Sequence, residues 1–145
     1  MSWQNIILHH SASVDHKWAD TETFDRWHKK RGWRMIGYHK IIELLNEHYY
    51  SIMGRPLYLA GSHCRGWNST SIGVVFAGNF EVEEMAAEQI EVGSQQIAEL
   101  CLAYRIPIER IWLHRDCGNT QCPGKHFPHA EIITRVRKLV LDKEV

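Results

Sequence analysis

The sequence predicts an α/β fold with a mixed central β-sheet flanked by about three α-helices. Two patterns carry that reading. Short runs rich in β-branched residues alternate along the chain with longer stretches whose apolar residues recur at helical spacing. One of the short runs, residues 72–77, is apolar almost throughout, as a strand covered on both faces requires. Alternation of this kind lays helices against a sheet.

Taken in order, Ile6-Ile7-Leu8-His9 opens the chain as a strand. Phe24, Trp27, His28 and Arg31 then fall at helical spacing before Gly32, a residue suited to stopping a helix. Residues 38–42 and 48–52 read as two paired strands, and 72–77 as the buried central one. Ala86, Ile90, Gly93, Ile97, Cys101 and Tyr104 trace one face of a long helix over about 83–105, with Pro107 beyond its end. Ile111-Trp112-Leu113-His114 is a further short strand, and Ile132, Ile133, Val136, Leu139 and Val140 line the inner face of a last helix. No repeat or Pro/Gly/Ser-rich linker divides the sequence, so residues 1–145 read as a single domain.

Composition excludes several function classes. Hydrophobic residues make up 44% and charged residues 23%, the mix of a globular chain. Seventeen Lys and Arg balance seventeen Asp and Glu, which leaves no basic field to condense on nucleic acid. The apolar runs are far shorter than the ~20 residues that span a bilayer, so no membrane insertion is expected. Met1-Ser2-Trp3-Gln4-Asn5 lacks the basic and apolar regions of a signal peptide, which predicts a cytoplasmic location. A monomer is expected. The four cysteines, Cys64, Cys101, Cys117 and Cys122, are then expected as free thiols or metal ligands.

The chemistry concentrates in the segment from His114 to Gly124, where a strand-end histidine precedes Cys122 across a turn-rich loop. Imidazole nitrogen and thiolate are the donors Zn²⁺ prefers, and a catalytic zinc takes three protein ligands while keeping one position open. The third ligand would come from His9 or His10. Adjacent strand residues point to opposite faces, so one of the two can face the metal, and spacing does not choose. His114, Cys117 and Cys122, joined by His126, could instead form a closed local zinc site. His10, His16, His28, His48, His126 and His129 otherwise read as structural or surface histidines.

At this point the sequence resembles the type 2 N-acetylmuramoyl-L-alanine amidases, a family that includes phage lysozymes of the T7 type and the peptidoglycan recognition proteins. The resemblance covers nearly the whole chain. It rests on Ile7-Leu8-His9-His10-Ser11-Ala12, Trp27-His28-Lys29-Lys30-Arg31-Gly32-Trp33, Gly37-Tyr38-His39, Gly61-Ser62-His63, residues 68–73, and His114-Arg115-Asp116 through Cys122-Pro123-Gly124, all in family order.

The resemblance implies that family's fold, and a zinc ion held by His9, His114 and Cys122 with water at the fourth position. It implies hydrolysis of the amide between the lactyl group of muramic acid and the first L-alanine of peptidoglycan. Tyr38 matches the family's catalytic tyrosine. Thr120 stands where the T7 type carries lysine and many recognition-protein amidases carry threonine. Trp33, His39, His63 and Asn68 fall in segments that line the substrate groove in relatives, although Trp33 also reads as a core aromatic and Asn68 as a turn former.

The implied partners are bacterial peptidoglycan or muropeptides, and the implied biology is a phage or prophage endolysin released to the wall at host lysis; a muropeptide-recycling enzyme is the alternative. A non-catalytic recognition module is the competing function. Cys122 favours the enzyme, since recognition proteins without activity typically lack the metal-site cysteine. A muramidase would need two carboxylates flanking a sugar bond, and no sequence feature marks such a pair.

Overall fold

A computed structural model describes residues 2–13 and 36–144. A five-stranded sheet organises the chain, in the order β3-β2-β4-β1-β5. Its strands are β1 (Asn5–His10), β2 (Lys40–Leu45), β3 (His48–Met53), β4 (Ser71–Phe76) and β5 (Ile111–Leu113). β2 and β3 form an antiparallel hairpin, whereas β2 runs parallel to β4 and β1 runs parallel to both β4 and β5. Asn46 and Glu47 close the hairpin with φ of 50° and 78°, the left-handed pair whose twist suits a two-residue turn between strands.

β4 lies at the centre of the sheet and every one of its residues is buried, as its apolar run predicts. Side-chain alternation then sorts the strands into two faces. Ile6 and Leu8 of β1, Ile72, Val74 and Phe76 of β4, and Ile111 and Leu113 of β5 join one large apolar cluster. That cluster is completed by helix α1 (Ala87–Tyr104), through Ile90, Ile97, Leu100 and Cys101, and by helix α3 (His129–Glu144), through Ile132 and Val136. The intervening residues, His9 of β1 and Gly73 and Val75 of β4 among them, turn to the opposite face, where Val75 joins a smaller cluster with Ile36, Ile41 and Ala77.

The long helix begins later than its periodicity suggests. Glu83 and Glu84 precede it rather than open it, because the Glu83 carboxylate accepts the backbone N–H of Asn79 at 2.9 Å and holds a turn there. At its other end Arg105 takes a left-handed φ of 55° and returns its N–H to the carbonyl of Cys101. β5 is followed at once by the short helix α2 (His114–Cys117), so His114 is the first helical residue and not the last of the strand. The helix expected around residues 24–31 lies outside the described residues. Among the described residues, no helix is long and apolar enough to cross a membrane.

Candidate metal centre

Strand register brings the first two site residues together. β1 and β5 are parallel neighbours with Leu8 opposite Leu113, so the residues that follow, His9 and His114, stand side by side where both strands end. Their Nδ1 atoms are 3.2 Å apart. In parallel sheets this C-terminal edge is the usual place for a ligand site.

Cys122 arrives from the loop after α2. The Arg115 N–H donates to the Cys122 carbonyl at 2.9 Å, and the Arg115 guanidinium donates to the Gly124 carbonyl at 3.0 Å, folding the loop back toward β1. One donor atom each from His9, His114 and Cys122 then lies within 4.8 Å of the other two. His10, on the opposite face, packs its ring toward Phe80 and accepts the Phe80 N–H on Nδ1 at 3.1 Å, as strand alternation requires.

The donor set fits a metal. Two nitrogens bonded at ~2.0 Å to a tetrahedral zinc stand roughly 3.3 Å apart, close to the 3.2 Å between the two imidazoles. His9 is 1% exposed. Burial, reinforced by His63 and His114, holds its pKa well below the ordinary value, and burial also lowers that of His114, so both rings are neutral and able to ligate near neutral pH.

Burial pushes the Cys122 thiol up to about 11, while the His10 backbone N–H and the Arg115 charge pull it the other way. A cation is the charge that would convert this thiol to thiolate.

The closed local site is not formed. Cys117 shares a thiol hydrogen bond with Cys64, and His126 pairs with Glu84 at 3.4 Å. Among the described residues, His9, His114 and Cys122 are the one His, Cys and carboxylate group clustered closely enough to hold a metal ion.

A chain with this fold and this donor set matches the family profile described as N-acetylmuramoyl-L-alanine amidase over residues 1–125. The chain belongs to that family. It is 34% identical over 124 residues to the endolysin of Enterobacteria phage T3, covering 82% of this chain and 79% of that one. It is 33% identical over 97 residues to peptidoglycan-recognition protein SC2 of Drosophila simulans, covering 66% of this chain and 51% of the relative. Among solved structures, N-acetylmuramoyl-L-alanine amidase LysC from Clostridium intestinale superposes with a TM-score of 0.82 at 29% identity, covering 94% of this chain and 86% of that one. The mixed sheet with flanking helices is thus the amidase and recognition-protein fold expected from the sequence.

The remaining residues marked in this amidase-family sequence divide into two groups. Tyr38 lies beside the cluster, half-buried, its ring centroid 5.1 Å from that of His9. Thr120 sits in the folded-back loop, where its Oγ1 accepts the Cys122 N–H at 3.2 Å.

His39, His63 and Asn68, expected along a groove, spend their polar atoms on the protein itself. His39 is wholly buried, its Nδ1 accepting the Gly73 N–H at 3.0 Å and its Nε2 donating to the Leu59 carbonyl at 2.9 Å. His63 is buried with Nδ1 2.9 Å from His9 Nε2 and Nε2 3.0 Å from the Ser71 carbonyl. Asn68 Oδ1 accepts the backbone N–H groups of His63 and Cys64 at 2.8 and 2.9 Å, the work of a turn former. Trp33 lies outside the described residues.

Sequence reasoning did not anticipate the contact of His63 with His9. Its signal is Gly73, a glycine inside a buried strand, which marks a close approach by something else.

Proposed function

We propose that this chain is a zinc-dependent N-acetylmuramoyl-L-alanine amidase, hydrolysing the lactyl-L-alanine amide of bacterial peptidoglycan and serving as a phage or prophage endolysin. The observation that carries the reading is the convergence of His9, His114 and Cys122 within 4.8 Å at the C-terminal edge of the sheet, in a chain of an amidase family. The likeness to the T3 endolysin supports the lytic role.

His9 and His114 would hold the ion through Nδ1 and Cys122 through Sγ. When bound there, zinc supplies Lewis acidity that polarises an amide carbonyl and brings the pKa of a water toward ~7. The chain's own residues supply the rest. Two neutral imidazoles and one thiolate leave a divalent site with net positive charge, which favours the negative charge that develops on the carbonyl oxygen. Tyr38, beside His9, would donate a hydrogen bond from its phenol to that oxygen or position the attacking water. Thr120 already accepts the Cys122 N–H on its oxygen, so its hydroxyl proton is left to donate. A hydroxyl brings a hydrogen bond without the charge of the lysine found in T7-type enzymes.

Digestion of purified sacculi tests the bond assignment. New N-terminal alanine with no new reducing sugars is the expected product pattern, and new reducing ends would overturn the reading.

A further inference from the structure

Both ring nitrogens of His63 are engaged, and by partners that settle which of them carries the proton. Nε2 stands 3.0 Å from the Ser71 carbonyl oxygen, which only accepts, so the proton of a neutral His63 sits on Nε2. Nδ1 is then an acceptor alone, and its partner at 2.9 Å is Nε2 of His9. His9 therefore carries its proton on Nε2. Its lone pair is left on Nδ1, the atom that faces His114 Nδ1 across 3.2 Å.

We propose that His63 is a positioning residue of the metal centre: the relay from the Ser71 carbonyl through His63 selects the His9 tautomer whose Nδ1 lone pair faces the metal position. The inference rests on the metal-centre reading given above and extends it to a residue that touches no metal. Ligating histidines usually donate their second N–H to a carboxylate or a carbonyl. Here a second imidazole takes that part, itself oriented by a carbonyl.

The surroundings of His63 are built for one orientation of its ring. A Cβ at Gly73 would stand 2.6 Å from both Cγ and Cδ2 of His63, and one at Gly61 would stand 2.5 Å from Cδ2. The ring therefore fills space that exists because both positions are glycine. Asn68 fixes the backbone beneath it through the His63 and Cys64 N–H groups. The two rings meet at 89°, with centroids 4.9 Å apart. Ring position, backbone and hydrogen-bond sense are thus all constrained on the side of His9 away from the metal position.

Two measurements test the proposal. Long-range ¹H–¹⁵N spectra of the metal-free wild-type protein read the tautomers directly; the expected result is a proton on Nε2 of both His9 and His63, and a proton on Nδ1 of His9 overturns the proposal. Zinc affinity is then measured by competition with a chromogenic chelator. His63→Leu should bind zinc ~10 to 100-fold more weakly than wild type, and His63→Asn, whose side-chain carbonyl can accept the His9 Nε2–H, should recover part of the loss. A His63→Leu protein that is folded by circular dichroism and binds zinc as tightly as wild type refutes the positioning role. If that variant does not fold, the wild-type tautomers decide alone. Wild-type protein that binds no zinc removes the metal-centre reading itself, an outcome distinct from an unchanged affinity in the variant.

Discussion

Cys122 Sγ accepts the backbone N–H of His10 at 3.3 Å, so the strand that presents His9 also donates a hydrogen bond to the thiol beside it. That bond favours the thiolate, yet burial wins and the thiol rests at about 11. At neutral pH without metal the sulfur therefore keeps its proton, while His9 and His114, both held below the ordinary histidine value, carry no charge. Zinc binding near pH 7 should then release one proton, from Cys122, and apparent affinity should rise about tenfold per pH unit between pH 7 and 8. Calorimetry in two buffers of different ionisation heat counts the protons. Release of none, or of two or more, would show that the charge states are misassigned.

Tyr38 packs its ring toward His9, which separates the packing of the ring from the chemistry of its oxygen. Tyr38→Phe should keep the fold and a full equivalent of zinc while lowering kcat by ~10² to 10³, the cost of one oxyanion donor in other enzymes. Turnover equal to wild type on muropeptides would reduce Tyr38 to a packing residue.

Thr120 Oγ1 accepts the Cys122 N–H, and in the proposed mechanism its hydroxyl proton is the one donated to substrate. Thr120→Ala should slow turnover at nearly unchanged zinc content, and Thr120→Ser, which keeps the hydroxyl, should retain most of the activity. Alanine and wild-type proteins with the same kinetics from pH 6 to 9 would leave Thr120 as a loop residue.

Cys117 is a free thiol that shares a hydrogen bond with Cys64 and stands apart from the cluster. Cys117→Ala should accordingly retain both zinc and activity, as read by elemental analysis and muropeptide turnover. Loss of the metal would revive the closed local site built on His114, Cys117 and Cys122.

The strands and most of the described helix faces were legible because they follow from periodicity; of the face expected for α1, Ile90, Gly93, Ile97 and Cys101 are buried, whereas Ala86 and Tyr104 at its two ends are exposed. The apolar run at 6–8, with its β-branched Ile6 and Ile7, and the apolar run at 72–77 became parallel neighbours, and strand alternation correctly separated His9 from His10. Boundaries were less legible where side chains compete for the backbone, as Glu83 does by holding Asn79 and delaying α1. The partnership of His63 with His9 spans 54 residues of sequence, and that of His39 with Gly73 spans 34. No local pattern encodes such contacts, so a buried histidine wired to another histidine reads in the sequence like one that meets substrate. Asn68 illustrates the opposite case: its bonds to residues four and five positions back are local, and turn chemistry already offered that reading.

The central claim, that His9, His114 and Cys122 form a zinc centre on which hydrolysis depends, is tested most directly by zinc stoichiometry in wild type and Cys122→Ala. Elemental analysis should find one zinc per wild-type chain, with activity lost to a chelator and restored by Zn²⁺. The Cys122→Ala protein should be inactive and hold well under one equivalent. A Cys122→Ala protein that retains a full equivalent of zinc and wild-type turnover would contradict the account.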